Sequence, residues 1–209
     1  WATSQLFNGL VRLDTNLNIE PCIAKSWSIS DDSRTYTFTL RDDVYFHKNS
    51  VFKTNDSTRK VTAYDFLYSF NRITDPKVAS PGGWIFSNVE QNGFQAINDT
   101  TFVVKLKAPF APMLSLLAMP YCSVVPREAV EHFGSDFRCN PVGTGPFRFQ
   151  YWKEGVKLVL RRNDIYFEKD LNGAQLPYLD AVAVTFIVDK QTAFLEFANG
   201  NLDYVREED

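Results

Sequence analysis

The sequence predicts an α+β fold, mixed sheets with helices packed on them, and three observations carry that expectation. Strand-period alternation recurs at Ser26-Trp27-Ser28-Ile29 and Tyr36-Thr37-Phe38-Thr39-Leu40, with β-branched and aromatic residues at strand spacing. Helix-period spacing appears at Phe66, Leu67, Phe70 and Ile73, the pattern of one apolar helix face. The third observation is Pro141-Val142-Gly143-Thr144-Gly145-Pro146-Phe147. A stretch with that many glycines and prolines cannot lie inside a helix or a central strand.

Taken in order, residues 1–8 carry no cap or start signal and lead into Gly9. Leu10 to Leu13 reads as a short strand, closed by the turn Asp14 to Asn18. The runs on either side of Ser30-Asp31-Asp32-Ser33 pair as strands. With Val44-Tyr45-Phe46 beyond Asp42-Asp43, they predict an antiparallel meander. Lys48 to Lys60 is polar and aperiodic, a surface loop. Thr62 with Asp65 three residues on marks a helix start, and Pro76 stops that helix.

Phe94 to Ile97 and Thr101 to Leu106 form a hairpin around Asn98-Asp99-Thr100. Pro112 to Ala118 is a helix with proline in its first turn, where it is tolerated. Ser123 to Pro126 is a short strand, and Arg127 to Phe133 a helix ended by Gly134. Phe147 to Trp152, Val156 to Arg162 and Val182 to Val188 read as strands, and Thr192 to Ala198 as a helix stopped by Gly200. Arg206-Glu207-Glu208-Asp209 reads as a chain end with no packed element.

The turn at 141–147 delivers the chain into the strand that Phe147 opens. Gly143 and Gly145 are expected there for positive φ or close backbone approach. Thr144 lies between them, and Pro146 fixes φ and removes a donor. Gly143-x-Gly145 lacks the third glycine of a dinucleotide loop and precedes a strand, so no nucleotide site is expected.

Composition excludes several classes. The net charge is −3 with no basic cluster, which argues against nucleic acid and anionic membrane surfaces. No run approaches the ~20 apolar residues of a membrane-spanning helix. No charged and apolar leader opens the sequence, so an export signal is expected to lie outside it. Eighteen Phe, nine Tyr and four Trp supply both cores and ligand clefts.

Cys22, Cys122 and Cys139 are an odd set. Cys122 and Cys139 flank one helical segment, and the alternatives are a disulfide between them or buried free thiols. With no CxxC and no His at ligand spacing from a Cys, a zinc site is not expected. His47 and His132 accompany no serine or cysteine motif and take ordinary turn or surface roles. The acidic pairs Asp31-Asp32 and Asp42-Asp43, with Glu207-Glu208-Asp209, read as solvated turns. No catalytic residue, metal or cofactor is expected.

The loop Pro81 to Phe86 is the candidate for touching a solute, through Gly82, Gly83, Trp84 and Phe86. Its aromatics have no periodicity tying them to a core face, and its glycines let backbone amides approach a ligand. The alternative is that Trp84 and Phe86 anchor the loop to its own domain.

Val142-Gly143-Thr144-Gly145-Pro146-Phe147, then Arg161-Arg162-Asn163-Asp164 with Tyr166-Phe167, resembles the family 5 extracellular solute-binding proteins. The same resemblance covers Gln5 to Leu10, Ala24-Lys25-Ser26-Trp27, Tyr36 to His47, Val61 to Phe66 and Asn199 to Asp203. It implies the first lobe of a two-lobe, periplasmic-binding-protein-like fold. Residues 1–8 and 137–209 would form a discontinuous core domain, and 9–136 an inserted domain, with the second lobe outside this sequence. It further implies a monomeric receptor, periplasmic or on the cell surface, lipid-anchored through a segment preceding Trp1. That receptor would deliver an oligopeptide or dipeptide to an ABC permease in the inner membrane. The alternatives are a sensory protein of the same fold, or a receptor for a nickel chelate, sugar or haem. In peptide-binding relatives the residue after this Ser-Pro is often an aromatic lining the cleft, and here it is Gly82.

Overall fold

The computed structural model describes residues 1–205, so the acidic run at 206–209 lies outside the described residues. The elements are helix α1 (Ala2–Leu6), strands β1 (Val11–Leu13), β2 (Ile19–Pro21), β3 (Ala24–Ile29) and β4 (Thr35–Leu40), and helix α2 (Ala63–Thr74). Strands β5 (Val89–Asn98) and β6 (Thr101–Leu106) follow, then helices α3 (Met113–Leu117) and α4 (Arg127–Phe133). Strands β7 (Phe147–Lys153), β8 (Lys157–Arg162) and β9 (Ala181–Thr185) and helix α5 (Lys190–Ala198) complete the order.

The α+β class holds, with one correction: every strand pair among the described residues is antiparallel. The sheets are β1-β2, β3-β4-β6-β5 and β7-β8-β9. In the four-stranded sheet β4 buries Tyr36, Phe38 and Leu40 on one face and leaves Thr35, Thr37 and Thr39 half-buried. That is the period-2 alternation read in the sequence. The third strand of the expected meander is β6, not Val44–Phe46, which makes only an isolated bridge between Tyr45 and Lys60. β6 wins because Phe102 and Val104 face Phe38 and Tyr36 across the ladder, a cross-strand apolar pairing.

Helix α2 starts at the Thr62–Asp65 capping box, where the Asp65 carboxylate accepts the Thr62 N–H at 2.8 Å. It lays Phe66 and Phe70 on the sheet, with ring centroids 5.9 and 5.5 Å from Phe102. Each fully buried Phe contributes about 1.5–3 kcal/mol over an exposed one. A second, smaller cluster joins Leu6 of α1 to Phe147 and Leu160 of the last sheet.

Two elements have no counterpart in the sequence reading, α1 and β2. Helix α1 lacks a side-chain cap and is held by Leu6 in the second cluster. The expected strand at Ser123–Pro126 is absent. The chain there makes a short 3-10 turn over Pro120–Cys122 and then runs extended. Helix α4 ends at Gly134 with φ 52°, and Gly200 with φ 76° follows α5, as their glycines predict. All three cysteines are free thiols.

The turn at 141–147 is pinned by three segments, residues 5–8, His47 and Asn163. Neither Gly143 nor Gly145 is left-handed, which corrects the first of the two reasons given for them. The second reason holds. A Cβ on Gly143 would lie 2.0 Å from the Leu6 carbonyl oxygen, and one on Gly145 2.4 Å from that of Gln5. Gly145 N–H donates to the Leu6 carbonyl at 2.9 Å, Thr144 Oγ1 to Asn8 Oδ1 at 3.0 Å, and Asn163 Nδ2 to the Gly145 carbonyl at 2.9 Å. His47 closes the set, so the residue expected in a turn or at the surface is a buried staple, 2% exposed.

Candidate functional site

The fold leaves a cavity of about 680 Å³ beside this turn. Its walls come from α1 and the following loop, β1, the 118–123 turn, Pro146-Phe147 and the loop at 166–179. The size and the apolar lining, with Phe7, Leu13, Met119 and Leu176 among it, suit a small organic solute.

One wall is polar. Arg12 Nε donates to Glu20 Oε1 at 2.5 Å, its cross-strand partner in the β1-β2 ladder. Arg12 Nη1 lies 2.6 Å from Glu168 Oε1, and the Tyr166 hydroxyl donates to Glu168 Oε2 at 3.0 Å. Burial alone would lower the Arg12 pKa, but the hydrogen bonds it donates to Glu168 and Glu20 overcome that and hold the guanidinium above its ordinary range. Burial also lifts the Tyr166 hydroxyl above its ordinary value, with Glu168 adding to the shift. Arg12 is thus shared between two carboxylates, which leaves this wall with a net negative charge.

Burial pushes the Cys22 thiol up to about 11 and that of Cys122 up to about 12. Neither is a thiolate at neutral pH, and the thiolate is the nucleophile. Among the described residues no group of three or more His, Cys, Asp or Glu is placed to hold a metal. His132 is exposed on α4 and borders a separate cavity of about 490 Å³ with Lys53 and Arg59. No described helix is long and apolar enough to cross a membrane.

The loop singled out in the sequence is split by the structure. Gly83 to Phe86 form one turn of 3-10 helix. Trp84 is 56% exposed, whereas Phe86 is 4% exposed, with its ring 4.8 Å from Phe70 and 5.0 Å from Phe94. The expectation that Phe86 touches solute is therefore corrected: the tight turn sends residues 85 and 86 into the core and leaves 84 outside. Gly82 is buried under the ring of Tyr121, and Gly83 lies against the Ile73 carbonyl. None of these four lines the 680 Å³ cavity. Sequence reading missed Arg12 and Glu168, because each acquires its place in the wall from a partner distant in the chain.

An apolar cavity with fixed polar groups on one wall can hold a small solute. The family model for bacterial extracellular solute-binding proteins, family 5 Middle, matches residues 18–208. The chain belongs to that family. It is 30% identical over 218 aligned positions to the dipeptide-binding protein DppE of Bacillus subtilis (strain 168), covering 96% of this chain and 37% of that protein. Among solved structures it resembles the periplasmic binding protein DppA of Helicobacter pylori in complex with the peptide STSA. There the TM-score is 0.82 and the identity 30%, over 96% of this chain and 40% of that one. It also resembles AgaA of A. tumefaciens R10 in complex with agropinic acid, with TM-score 0.82 and 28% identity, over 97% of this chain and 38% of that one. The chain thus spans well under half the length of the relatives it matches.

Proposed function

We propose that this chain is the first lobe of an extracytoplasmic receptor that binds small peptides and delivers them to the permease of an ABC importer. The observation that carries the reading is the 680 Å³ cavity, apolar on most sides and polar on the Arg12–Glu168 wall. Such a surface suits a solute with both backbone polarity and apolar side chains. Likeness to proteins that bind dipeptides and the peptide STSA supports the same class.

The division into a core of residues 1–8 and 137–209 with an insertion at 9–136 belongs to this proposal. The separate cluster of Leu6, Phe147 and Leu160 supports it. So does the exposed apolar surface of Phe186, Val188, Phe194 and Leu195 beside α5, which suits cover by a second lobe. Anchoring by a lipid ahead of Trp1, a monomeric state and a periplasmic or cell-surface location complete the proposal. Exposed Trp84 and neighbouring Gly83, which lie outside the 680 Å³ cavity, are proposed as further solute contacts on the strength of the exposed indole alone.

The test is titration calorimetry of the full-length protein with a panel of di- to tetrapeptides. One-to-one binding of at least one peptide is the expected result. A second reading, a receptor for a non-peptide solute, draws on the AgaA likeness. It prevails if every peptide fails and agropinic acid binds.

A further inference from the structure

We propose that Glu168 selects solutes with a cationic side chain, its carboxylate being the negative point of an otherwise apolar cavity; this rests on the receptor reading above. Among the described residues, Arg12 and Glu168 are the charged side chains that line the cavity. Arg12 is divided between two acceptors. It lies 2.6 Å from Glu168 and 2.5 Å from Glu20, which stands outside the cavity. One cation against two carboxylates leaves a surplus negative charge on this wall. Arg41, whose guanidinium sits 5.0 Å from the Phe167 ring, is paired with Asp43 at 2.7 Å and so does not offset that surplus.

The carboxylate is held in place before any solute arrives. Its Oε1 faces Arg12 Nη1, and its Oε2 accepts the Tyr166 hydroxyl at 3.0 Å. The backbone is tied as well, because the Glu168 carbonyl accepts the Leu176 N–H at 3.1 Å and Gln175 Nε2 at 3.0 Å. An ionised carboxylate offers about four acceptor positions, so about two remain after these contacts. The side chain is 21% exposed, so an ammonium can add to the group without breaking either bond. A carboxylate already fixed binds at small entropic cost. The rest of the lining supplies the other half of the match. Phe7, Leu13 and Met119 are apolar and suit the methylene stem of a lysine whose charged tip reaches the wall. A solute with an acidic side chain meets like charge there and is selected against. Glu168 is thus the contact residue, and Arg12 and Tyr166 are its positioning residues.

The experiment is calorimetry of the full-length receptor with Ala-Lys, Ala-norleucine and Ala-Glu. All three share the α-ammonium and α-carboxylate, so differences among them report the side chain. The wild type should bind Ala-Lys roughly ten-fold more tightly than Ala-norleucine, the scale of one charge-assisted hydrogen bond, and Ala-Glu most weakly. Glu168→Gln should bring the Ala-Lys to Ala-norleucine ratio to within about two-fold of unity. A wild-type ratio in that variant overturns the inference. So does a wild type that binds Ala-norleucine as tightly as Ala-Lys, an outcome that leaves the receptor reading standing. Binding of none of the three by the wild type overturns the receptor reading for these ligands and this inference with it. Should Glu168→Gln melt well below the wild type, Glu20→Gln decides. That change lies outside the cavity and cancels the surplus charge, so it should lower the preference for Ala-Lys several-fold, and an unchanged preference overturns the inference.

Discussion

His47 Nε2 donates to the Gly145 carbonyl at 3.0 Å while its Nδ1 accepts the Gly143 N–H at 3.2 Å. An amide N–H can only donate, so the ring is the neutral tautomer with its proton on Nε2. The two residues are 98 positions apart, and the pair joins the segment after β4 to the turn ahead of β7. A proton on Nδ1 would set two donors against each other. Burial first, then the charge of Arg148, pushes the His47 pKa down to about 4, against the opposing hydrogen bond to Gly145.

The first prediction is a stability loss in mild acid. Above the ordinary histidine value near 6.5 the group is neutral folded and unfolded, and its contribution is complete. As pH falls from there to about 4, only the unfolded chain takes up the proton, so stability drops. The full drop is on the order of 3 kcal/mol. Below about 4 this group adds no further change, and carboxylates such as Glu128, held low by Arg59, take over. Denaturant midpoints at pH 7 and 4.5 measure it. A His47→Gln variant with the same pH slope as the wild type contradicts the assignment.

Gly143→Ala should destabilise by about 1–3 kcal/mol or more through overpacking, since the new methyl meets backbone that cannot swing away. A wild-type midpoint in urea for this variant would mean the Leu6 segment shifts freely.

Trp84 and Phe86 separate cleanly. Phe86→Ala should cost about 3–5 kcal/mol, because it opens a cavity among Phe70 and Phe94. Trp84→Ala should change stability by only about 0.5 kcal/mol, as for other exposed sites. Comparable midpoint losses in the two variants would place Trp84 in the core instead.

Arg59 sits between two carboxylates, 2.7 Å from Asp65 and 2.6 Å from Glu128. Arg59→Met leaves the buried Asp65 charge without its cation and should cost about 3–5 kcal/mol. Glu128→Gln, at the half-exposed end, should cost under about 1 kcal/mol. Thermal melts of both variants check the asymmetry, and equal losses would refute it.

Local pattern fixed much of the architecture. The alternation at 36–40, the apolar face of Phe66, Phe70 and Ile73, the Thr62–Asp65 cap and the stop at Gly134 all became the elements they predicted. Each is encoded by residues within a few positions of one another, where backbone geometry dictates the spacing. The ordered blocks from Gln5 to Asp203 likewise carried the family.

Tertiary structure decided the rest. It made α1 a helix, chose β6 over Val44–Phe46 as the partner of β4, and buried Phe86 while exposing Trp84. It also gave Gly143 and Gly145 their reason, which is the Leu6 and Gln5 backbone lying where a side chain would stand. The pairs His47–Gly145, Arg12–Glu168 and Gly82–Tyr121 leave no local trace. A contact between distant residues depends on how whole elements pack, and no window of neighbouring residues contains that information.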